Sequence, residues 1–296
     1  MSSVSRAARR APAKVNLGLH VLRKRDDGYH DIETVFYRID WADIVSIEPA
    51  DEVSMTCSDP DLPVDKGNLC MQAALALKEA ADVSEGVQIH LEKRVPYGAG
   101  LGGGSSDAAA TLLLLSDMWL NADAAGAMPR AEVHALLHDV GATVGSDVPF
   151  FLEEATAAYA TGRGKRLAPF TSRVGEEQGF HLPHEVVVVV PPVQVSTPDA
   201  YRRVTPDDQH RPDLRKVVRS LDLARWRRAL VNDFERPITE AFPEVEDVRR
   251  LLVEAGAAYV SLTGSGSAMY GIFETTDDAT AAVQVAKASG YAVGRG

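Results

Sequence analysis

A glycine-rich run followed at once by two serines is the strongest chemical signal in the sequence. Five of the seven residues from 98 to 104 are glycine, and Ser105 and Ser106 follow. Glycine leaves backbone N–H groups uncovered and permits angles that turn several of them toward one point. An Ala- and Leu-rich helical pattern comes next, so the positive end of a helix dipole faces the run. The run predicts a cradle for a diphosphate or triphosphate, with a flexible glycine-rich turn as the alternative.

Three familiar phosphate-binding motifs do not fit this run. Gly98, Gly100 and Gly103 match the letters GxGxxG, but no clear parallel β-α-β unit with a ribose-binding acid follows. No Gly-Lys-Ser/Thr closes a Walker-type loop, and the HRD and DFG motifs of protein kinases are absent.

Polar side chains are predicted to line one face of an early strand. Apolar residues alternate from Val15 to Val21, a period of two that indicates a strand. Lys14, Asn16 and His20 then share the opposite face. This face offers an ammonium, an amide and an imidazole for polar chemistry.

A single aspartate stands beside a second apolar run. Asp147 follows Gly-Ser and precedes 148–152, which we predict to be a short strand. A carboxylate there could accept a proton; the alternative is a turn-capping aspartate. His134 and His138 are four residues apart on a predicted helix, but they lack the intervening Glu of a zinc protease, so we interpret them as structural.

The elements that position these residues mix strands and helices without strict alternation, which favours an α+β fold. Helices are predicted at 68–81, from the serines to about 120, at 131–140, as several short pieces within 198–255, and at 277–289. Strands are predicted at 15–21, once or twice within 34–48, and at 87–91, 148–152, 155–161, 186–190, 259–262 and 269–273. Residues 1–10 and roughly 170–184 are predicted to be loose.

Composition restricts the class of protein. The 296 residues carry a formal net charge of −11, which argues against coating nucleic acid or an anionic membrane. The two cysteines are too few for a disulfide scaffold or a four-cysteine zinc site. They fit a reduced compartment, and we expect a cytoplasmic protein. There is no apolar run of about 20 residues and no apolar core behind the first arginines, so we predict neither a membrane helix nor a secretory signal.

Three segments together resemble a known family. PYGAGLGGGSSDAA at 96–109, PAKVNLGLHVLRKRDDGYHDIETVF at 12–36 and LTGSGSAMYGIF at 262–273 are similar to the GHMP kinases, in the family order. The resemblance implies two domains: a ribosomal S5 domain 2-like ATP-binding domain at 1–170 and a ferredoxin-like α/β sandwich at 171–296. DGYH and GSDVPFF (145–151) resemble one subfamily. It transfers the γ-phosphate of ATP to the 2-hydroxyl of 4-diphosphocytidyl-2-C-methyl-D-erythritol in the non-mevalonate isoprenoid pathway.

The resemblance also implies roles for individual residues. Lys14 and Asp147 would be the catalytic pair, and Asn16, Tyr29, His30, Thr197 and Tyr201 would bind substrate. The ATP-binding residues would be Pro96, Tyr97, Gly98, Ala99, Gly100, Leu101, Gly102, Gly103, Gly104, Ser105, Ser106 and Asn68.

Some of these assignments leave alternatives open. For Asn68 the alternative is a plain helix N-cap. The second glycine loop, Thr263 to Ser267, would line the substrate side, or else form a simple hairpin turn. Mg2+ is implied by ATP; its ligands are not identified, although Ser106 is a candidate.

Two other functions are compatible with the pattern. One is a kinase of the same superfamily with a different acceptor, such as another polyol or a mevalonate-like acid. It would not need DGYH with an aromatic partner, which suits a nucleobase. The other is a binding protein of the same fold without chemistry, which the presence of both Lys14 and Asp147 disfavours.

Overall fold

The computed structural model describes residues 6–120, 128–172, 179–209 and 211–296. Its strands are β1 Ala7–Lys24, β2 His30–Ala50, β3 Val53–Cys57, β4 Gly86–Glu92, β5 Ala157–Gly162, β6 Arg166–Pro169, β7 Glu185–Val190, β8 Tyr259–Leu262, β9 Met269–Phe273 and β10 Ala292–Arg295. Its helices are α1 Leu69–Ala80, α2 Gly103–Leu115, α3 Arg130–Val144, α4 Val148–Leu152, α5 Thr197–Arg203, α6 Leu214–Arg219, α7 Leu223–Ala229, α8 Glu235–Ala241, α9 Pro243–Glu254 and α10 Thr276–Ala288, with a π-helical segment at Ser116–Leu120 after α2.

The chain forms two compact units, and each is built from separate stretches. The first unit contains the described residues up to Ala13, together with Ala42–Val95 and Gly102–Glu154. The second unit contains Lys14–Trp41, Pro96–Leu101 and Ala155–Gly296. Strand β1 pairs with β2.

The first unit combines a small sheet with four helices. The C-terminal half of β2 pairs antiparallel with β4, and β4 pairs parallel with β3. Helices α1, α2, α3 and α4 pack against one another. Gly141 lets α3 approach α4 closely, because a Cβ there would lie only 2.9 Å from Cγ1 of Val148. The helices thereby bury the apolar residues that follow the glycine run.

The second unit contains a four-stranded antiparallel sheet in the order β10-β7-β9-β8. Helices α9 and α10 pack against its strands. Consecutive valines from Val186 to Val190 are all buried, as expected for a strand at the centre of a core. In the same unit the N-terminal half of β2 pairs with β5, and β5 pairs with β6.

The sequence predicted most of these elements, and the exceptions have physical causes. Residues 148–152 form helix α4, so the predicted strand is wrong. Every residue of α4 is buried, and an apolar run without period does not distinguish a short strand from a short helix. Pro149 lies in the first turn of α4, where the missing N–H costs nothing.

Both segments predicted to be loose contain ordered structure. Residues 7–10 belong to β1, and Arg6 donates a hydrogen bond to Oγ of Ser46 at 2.8 Å. Phe170, Phe180 and Leu182 are buried. The prediction is therefore wrong at these positions, while residues 1–5 and 173–178 lie outside the described part of the chain.

Two further observations concern the helices and the cysteines. Across the described ranges, no helix combines the length and apolar character needed to span a bilayer. Cys57 and Cys70 are both free thiols.

Candidate active site

Lys14 lies on β1 in the second unit, and its ammonium is held in a buried position. The residue is only 3% exposed. Its Nζ donates to Oδ1 of Asn16 at 2.7 Å and to the carbonyl of Gly100 at 2.9 Å. Its backbone N–H donates to the carbonyl of Leu101 at 3.0 Å. The structure therefore brings the predicted lysine to the start of the predicted phosphate loop.

Asn16 connects Lys14 to the second glycine loop. Its Oδ1 accepts a hydrogen bond from the backbone N–H of Gly264 at 2.9 Å, and its own N–H donates to Oγ1 of Thr263 at 3.1 Å. Its Nδ2 donates to Oγ1 of Thr34 at 2.9 Å. Because all polar atoms of this side chain are engaged, the amide is fixed in one orientation.

The two glycine loops touch through bare backbone. Gly100 has φ +81°, and a Cβ there would overlap the carbonyl oxygen of Thr263. A Cβ at Gly264 would lie 2.9 Å from the carbonyl oxygen of Gly100. Ala268 donates its N–H to the carbonyl of Ala99 at 3.1 Å. Glycine at 100 and 264 is needed for this approach as well as for the backbone angles. The loop from Thr263 to Ser267 thus connects β8 to β9 and also contacts the first glycine run.

Asn232 is a residue of this region that the sequence did not reveal. It is buried, and its Nδ2 donates to the carbonyls of Leu262 and Gly264 at 2.8 and 3.0 Å. Its Oδ1 accepts from the N–H of Phe234 at 3.0 Å. An isolated asparagine between helices carries no motif, so only the fold shows that it supports the second glycine loop.

In the first unit, a helix follows the first glycines as predicted, but α2 already begins at Gly103, two residues before the serines. Gly102 is its N-cap in the left-handed conformation, with φ 71°. Ser106 lies in the first turn and is buried. Within the described part of the chain its Oγ makes no hydrogen bond. A buried hydroxyl without a partner is costly in the ligand-free state, so this atom marks a position where a ligand atom would be stabilised.

A buried charged cluster lies under the first turn of α2, and the sequence did not predict it. Nζ of Lys93 contacts Oδ2 of Asp43 and, at 2.9 Å, Oδ2 of Asp107. Asp43 also accepts from the N–H groups of Arg94 and Val95. The cluster therefore binds the chain on both sides of the glycine run, at Arg94 and Val95 before the run and at Asp107 after it. We call Asp43, Lys93 and Asp107 the buried triad.

Burial and charge within the buried triad shift the pKa values of Asp107 and Lys93. Burial raises the pKa of Asp107 to about 8, although the ammonium of Lys93 opposes this change. The pKa of Lys93 is also raised: burial lowers it, but the two carboxylates outweigh burial. The cluster thus shares protons and charges within one water-poor environment.

Asp147 and Asn68 cap helices of the first unit. Asp147 is the N-cap residue of α4 and is half-buried, and its side chain makes no capping hydrogen bond. Asn68 is the N-cap of α1, and its Oδ1 accepts from the N–H of Cys70 at 2.9 Å. The predicted capping role of Asn68 is confirmed; its contact with adenosine stays a prediction.

The predicted substrate-binding aromatic residues lie in the second unit. His30 and Tyr201 are stacked, with ring centroids 4.6 Å apart and planes at 19°. Tyr29 follows the Asp-Gly turn and is 53% exposed, and the guanidinium of Arg163 lies 3.3 Å from its ring centroid. Arg163 was not predicted from the sequence, because its β5–β6 turn is far from Tyr29 along the chain.

The remaining observations concern the contact of Thr197 and the charge of His30. Oγ1 of Thr197 lies 3.3 Å from Oγ of Ser265, which joins the start of α5 to the second glycine loop. Burial lowers the pKa of His30, and the charge of Lys24 lowers it further. His30 is therefore a neutral imidazole at neutral pH, able both to donate and to accept a hydrogen bond.

Comparison with known proteins relates this arrangement to a family. The model of the N-terminal domain of GHMP kinases matches residues 68–154, and the model of their C-terminal domain matches residues 213–292. The 4-diphosphocytidyl-2-C-methyl-D-erythritol kinase of Salinibacter ruber is 56% identical over 280 residues, which covers 95% of this chain and 94% of that protein. The kinase of the same name from Chlorobium limicola is 44% identical, with 94% and 92% covered.

Solved structures agree with these relatives. A crystal structure of a 4-(cytidine 5'-diphospho)-2C-methyl-D-erythritol kinase matches with a TM-score of 0.77 and 36% identity over 98% of both chains. Homoserine kinase from Cytophaga hutchinsonii matches with a TM-score of 0.68 at 17% identity, a likeness of fold alone. The two-domain GHMP kinase fold predicted from the sequence is confirmed. The chain belongs to the GHMP kinases, a family of small-molecule kinases, and within it to the family of the 4-diphosphocytidyl-2-C-methyl-D-erythritol kinases.

Proposed function

We propose that the protein transfers the γ-phosphate of ATP to the 2-hydroxyl of 4-diphosphocytidyl-2-C-methyl-D-erythritol, a step of the non-mevalonate isoprenoid pathway. The observation that carries this proposal is the 56% identity over 95% of the chain to the Salinibacter ruber kinase of that name. The buried ammonium of Lys14 beside the glycine loop supports it, because phosphoryl transfer depends on positioning and charge stabilisation.

Lys14 and Asp147 are proposed as the catalytic residues. The ammonium of Lys14, fixed by Asn16 and Gly100, would lower the pKa of the accepting hydroxyl and offset charge in the transition state. Asp147 would accept the hydroxyl proton as the oxygen attacks the γ-phosphorus. The motif GSDVPFF supports this role.

Residues 96–106 and Asn68 are proposed to bind ATP. The glycine run presents backbone N–H groups, and α2 presents its positive end. The donor requires Mg2+, which neutralises phosphate charge when bound. The buried Oγ of Ser106, which has no hydrogen-bond partner among the described residues, fits a ligand oxygen for this ion. Ser106 is therefore the residue proposed to hold it.

The cytidine end of the substrate is assigned to Tyr29, His30 and Tyr201, with Thr197 and Asn16 as further polar contacts. The exposed ring of Tyr29 offers a stacking surface, and the neutral imidazole of His30 offers a donor and an acceptor. We also propose a boundary between the two domains near residue 170, within the stretch between the two family matches. Two free thiols and the use of ATP support a cytoplasmic location.

The decisive experiment incubates the pure protein with MgATP and 4-diphosphocytidyl-2-C-methyl-D-erythritol and follows the phosphorus NMR spectrum. A new phosphomonoester signal that grows in step with ADP is expected. Bound ATP without turnover would reject the acceptor, and a panel of other alcohols, including mevalonate, would then identify another one. ATP binding without transfer to any of them would indicate a binding protein.

Variants test the assigned roles. Asp147→Asn is expected to lower kcat by about 10²–10⁴-fold, and Lys14→Met by about 10²–10³-fold. The matched control is Lys287→Met, which replaces an exposed lysine in the last turn of α10. This variant should retain full turnover. Near-normal kcat in folded Asp147→Asn would show that this residue is not the base.

A further inference from the structure

Two histidines of the first unit project from the same side of helix α3. His134 and His138 are four residues apart, and their ring centroids lie 4.4 Å from each other with planes tilted by 35°. Residues at this spacing are neighbours on a helix surface. Their Nε2 atoms therefore approach one point beside the helix.

A carboxylate from another helix reaches the same point. Glu153 directly follows α4, and its Oε1 lies 3.3 Å from Nε2 of His134 and 2.8 Å from Nε2 of His138. The three side chains place one potential ligand atom each within 4.8 Å of one another. This third group is not apparent in the sequence, because α3 and α4 are brought together by tertiary packing, for example at Gly141.

The geometry at His138 differs from that of a simple histidine–carboxylate hydrogen bond. Its Nε2 atom is buried, yet within the described residues it makes no hydrogen bond of acceptable geometry, despite its closeness to Glu153. This nitrogen and Oε1 of Glu153 are close together, at a position that a cation bound to both could occupy. A cation at that position would satisfy the buried nitrogen.

We propose that His134, His138 and Glu153 form a binding site for Zn2+. Two imidazoles and one carboxylate are a common three-residue ligand set for this ion, with water as the fourth ligand. Neutral imidazole also suits Cu2+ and Ni2+, which bind such sets at least as tightly. Mg2+ prefers an octahedron of oxygen atoms and should not bind here.

The site has a structural consequence that does not depend on the proposed reaction. A bound ion would join the middle of α3 to the end of α4, and the N-cap of α4 is Asp147. Zn2+ should therefore stabilise the fold and restrict the segment that carries Asp147. Since the ion binds the folded protein alone, its free energy of binding adds to stability.

The test is calorimetric titration of the metal-free protein, without nucleotide, with ZnCl2 and separately with MgCl2. One Zn2+ per chain and no saturable Mg2+ binding are expected. Replacing a residue that only supports a metal ligand weakens metal binding by about 10–100-fold. Replacing a ligand itself should weaken it no less, so H138A and E153Q should each lower the affinity for Zn2+ at least about tenfold. The exposed His181 is the matched control, and H181A should bind as the unmodified protein does.

A second measurement keeps the test independent of any folding defect. Zn2+ at about 100 times its Kd should raise Tm by about 5 °C in the unmodified protein and in H181A. In H134A, whose side chain is 59% exposed and so tolerates replacement, the same Zn2+ concentration should raise Tm by no more than about 2 °C. Absence of saturable Zn2+ binding, or equal affinity in H134A, H138A and E153Q, would overturn the proposal and leave only a histidine–carboxylate ion pair.

Discussion

Replacing the lysine of the buried triad tests whether that cluster stabilises the fold beside the glycine run. The side chain of Lys93 is 5% exposed, and those of Asp43 and Asp107 are 0% and 3% exposed. Lys93→Met keeps most of the apolar stem and removes the ammonium. Two buried carboxyl groups then lie near each other without a cation.

The expected cost is large. Removing one partner of a buried ion pair destabilises a protein by about 3–5 kcal/mol, because the remaining charge stays buried without compensation. This is a considerable part of the roughly 5–15 kcal/mol that stabilises a typical native protein. Urea unfolding followed by circular dichroism measures the change. Lys287→Met on the exposed side of α10 should change stability by no more than about 0.5 kcal/mol.

The dependence on pH provides a second, independent criterion. Burial already raises the pKa of Asp107 to about 8 with the ammonium present, and loss of the ammonium raises it further. Between the unfolded value of about 3.9 and this raised value, the folded state binds more protons than the unfolded state. The stability contributed by protonated Asp107 is therefore lost as pH rises through that interval.

The penalty of Lys93→Met should consequently be larger at about pH 8.5 than at about pH 5.5. Adding Asp107→Asn removes one of the two carboxyl groups and should recover part of the lost stability. A penalty below about 1 kcal/mol, or one that grows as pH falls, would refute the reasoning. The cluster would then be hydrated or otherwise compensated.

Three further predictions concern the loops and the polar strand face. Gly100→Ala should lower Tm more than Gly290→Ala. Both glycines have φ above +80°, but only a Cβ at position 100 would overlap the carbonyl oxygen of Thr263. Equal losses of Tm would show that the two loops separate easily. Asn232→Ala should cost about 1–3 kcal/mol in urea unfolding by leaving two carbonyls unsatisfied, and an unchanged midpoint would contradict this. A hydrogen bond with His20 lowers the pKa of Glu33. The stability that ionised Glu33 contributes is present above about pH 4.3 and should be lost as pH falls through the lowered pKa. Glu33→Gln should abolish this part of the acid unfolding curve, and an unaltered acid midpoint would contradict the prediction.

Local patterns along the chain were sufficient for much of the fold. The alternation of apolar residues around Lys14 and Asn16 predicted a strand, and the glycine run before an Ala-rich helical pattern predicted a loop at a helix N-terminus; both are confirmed. These features depend on residues close in sequence, whose propensities and periodicities are legible without tertiary contacts. The family resemblance rested on the same local motifs.

The buried apolar segment 148–152 was misassigned for the opposite reason. Its hydrophobicity reflects burial on all sides, and burial on all sides has no period. Its helical form became evident only from the tertiary structure, in which it packs against α2 and α3.

The order of amino acids alone identifies the types of residues available for chemistry and most of the local elements that carry them. The tertiary structure decided which of them meet. The contact of Gly100 with Thr263, the buried triad, and the approach of Glu153 to His134 and His138 all join residues distant along the chain. Such contacts arise from packing of whole elements, in which many weak interactions act together, and no single stretch of sequence encodes them.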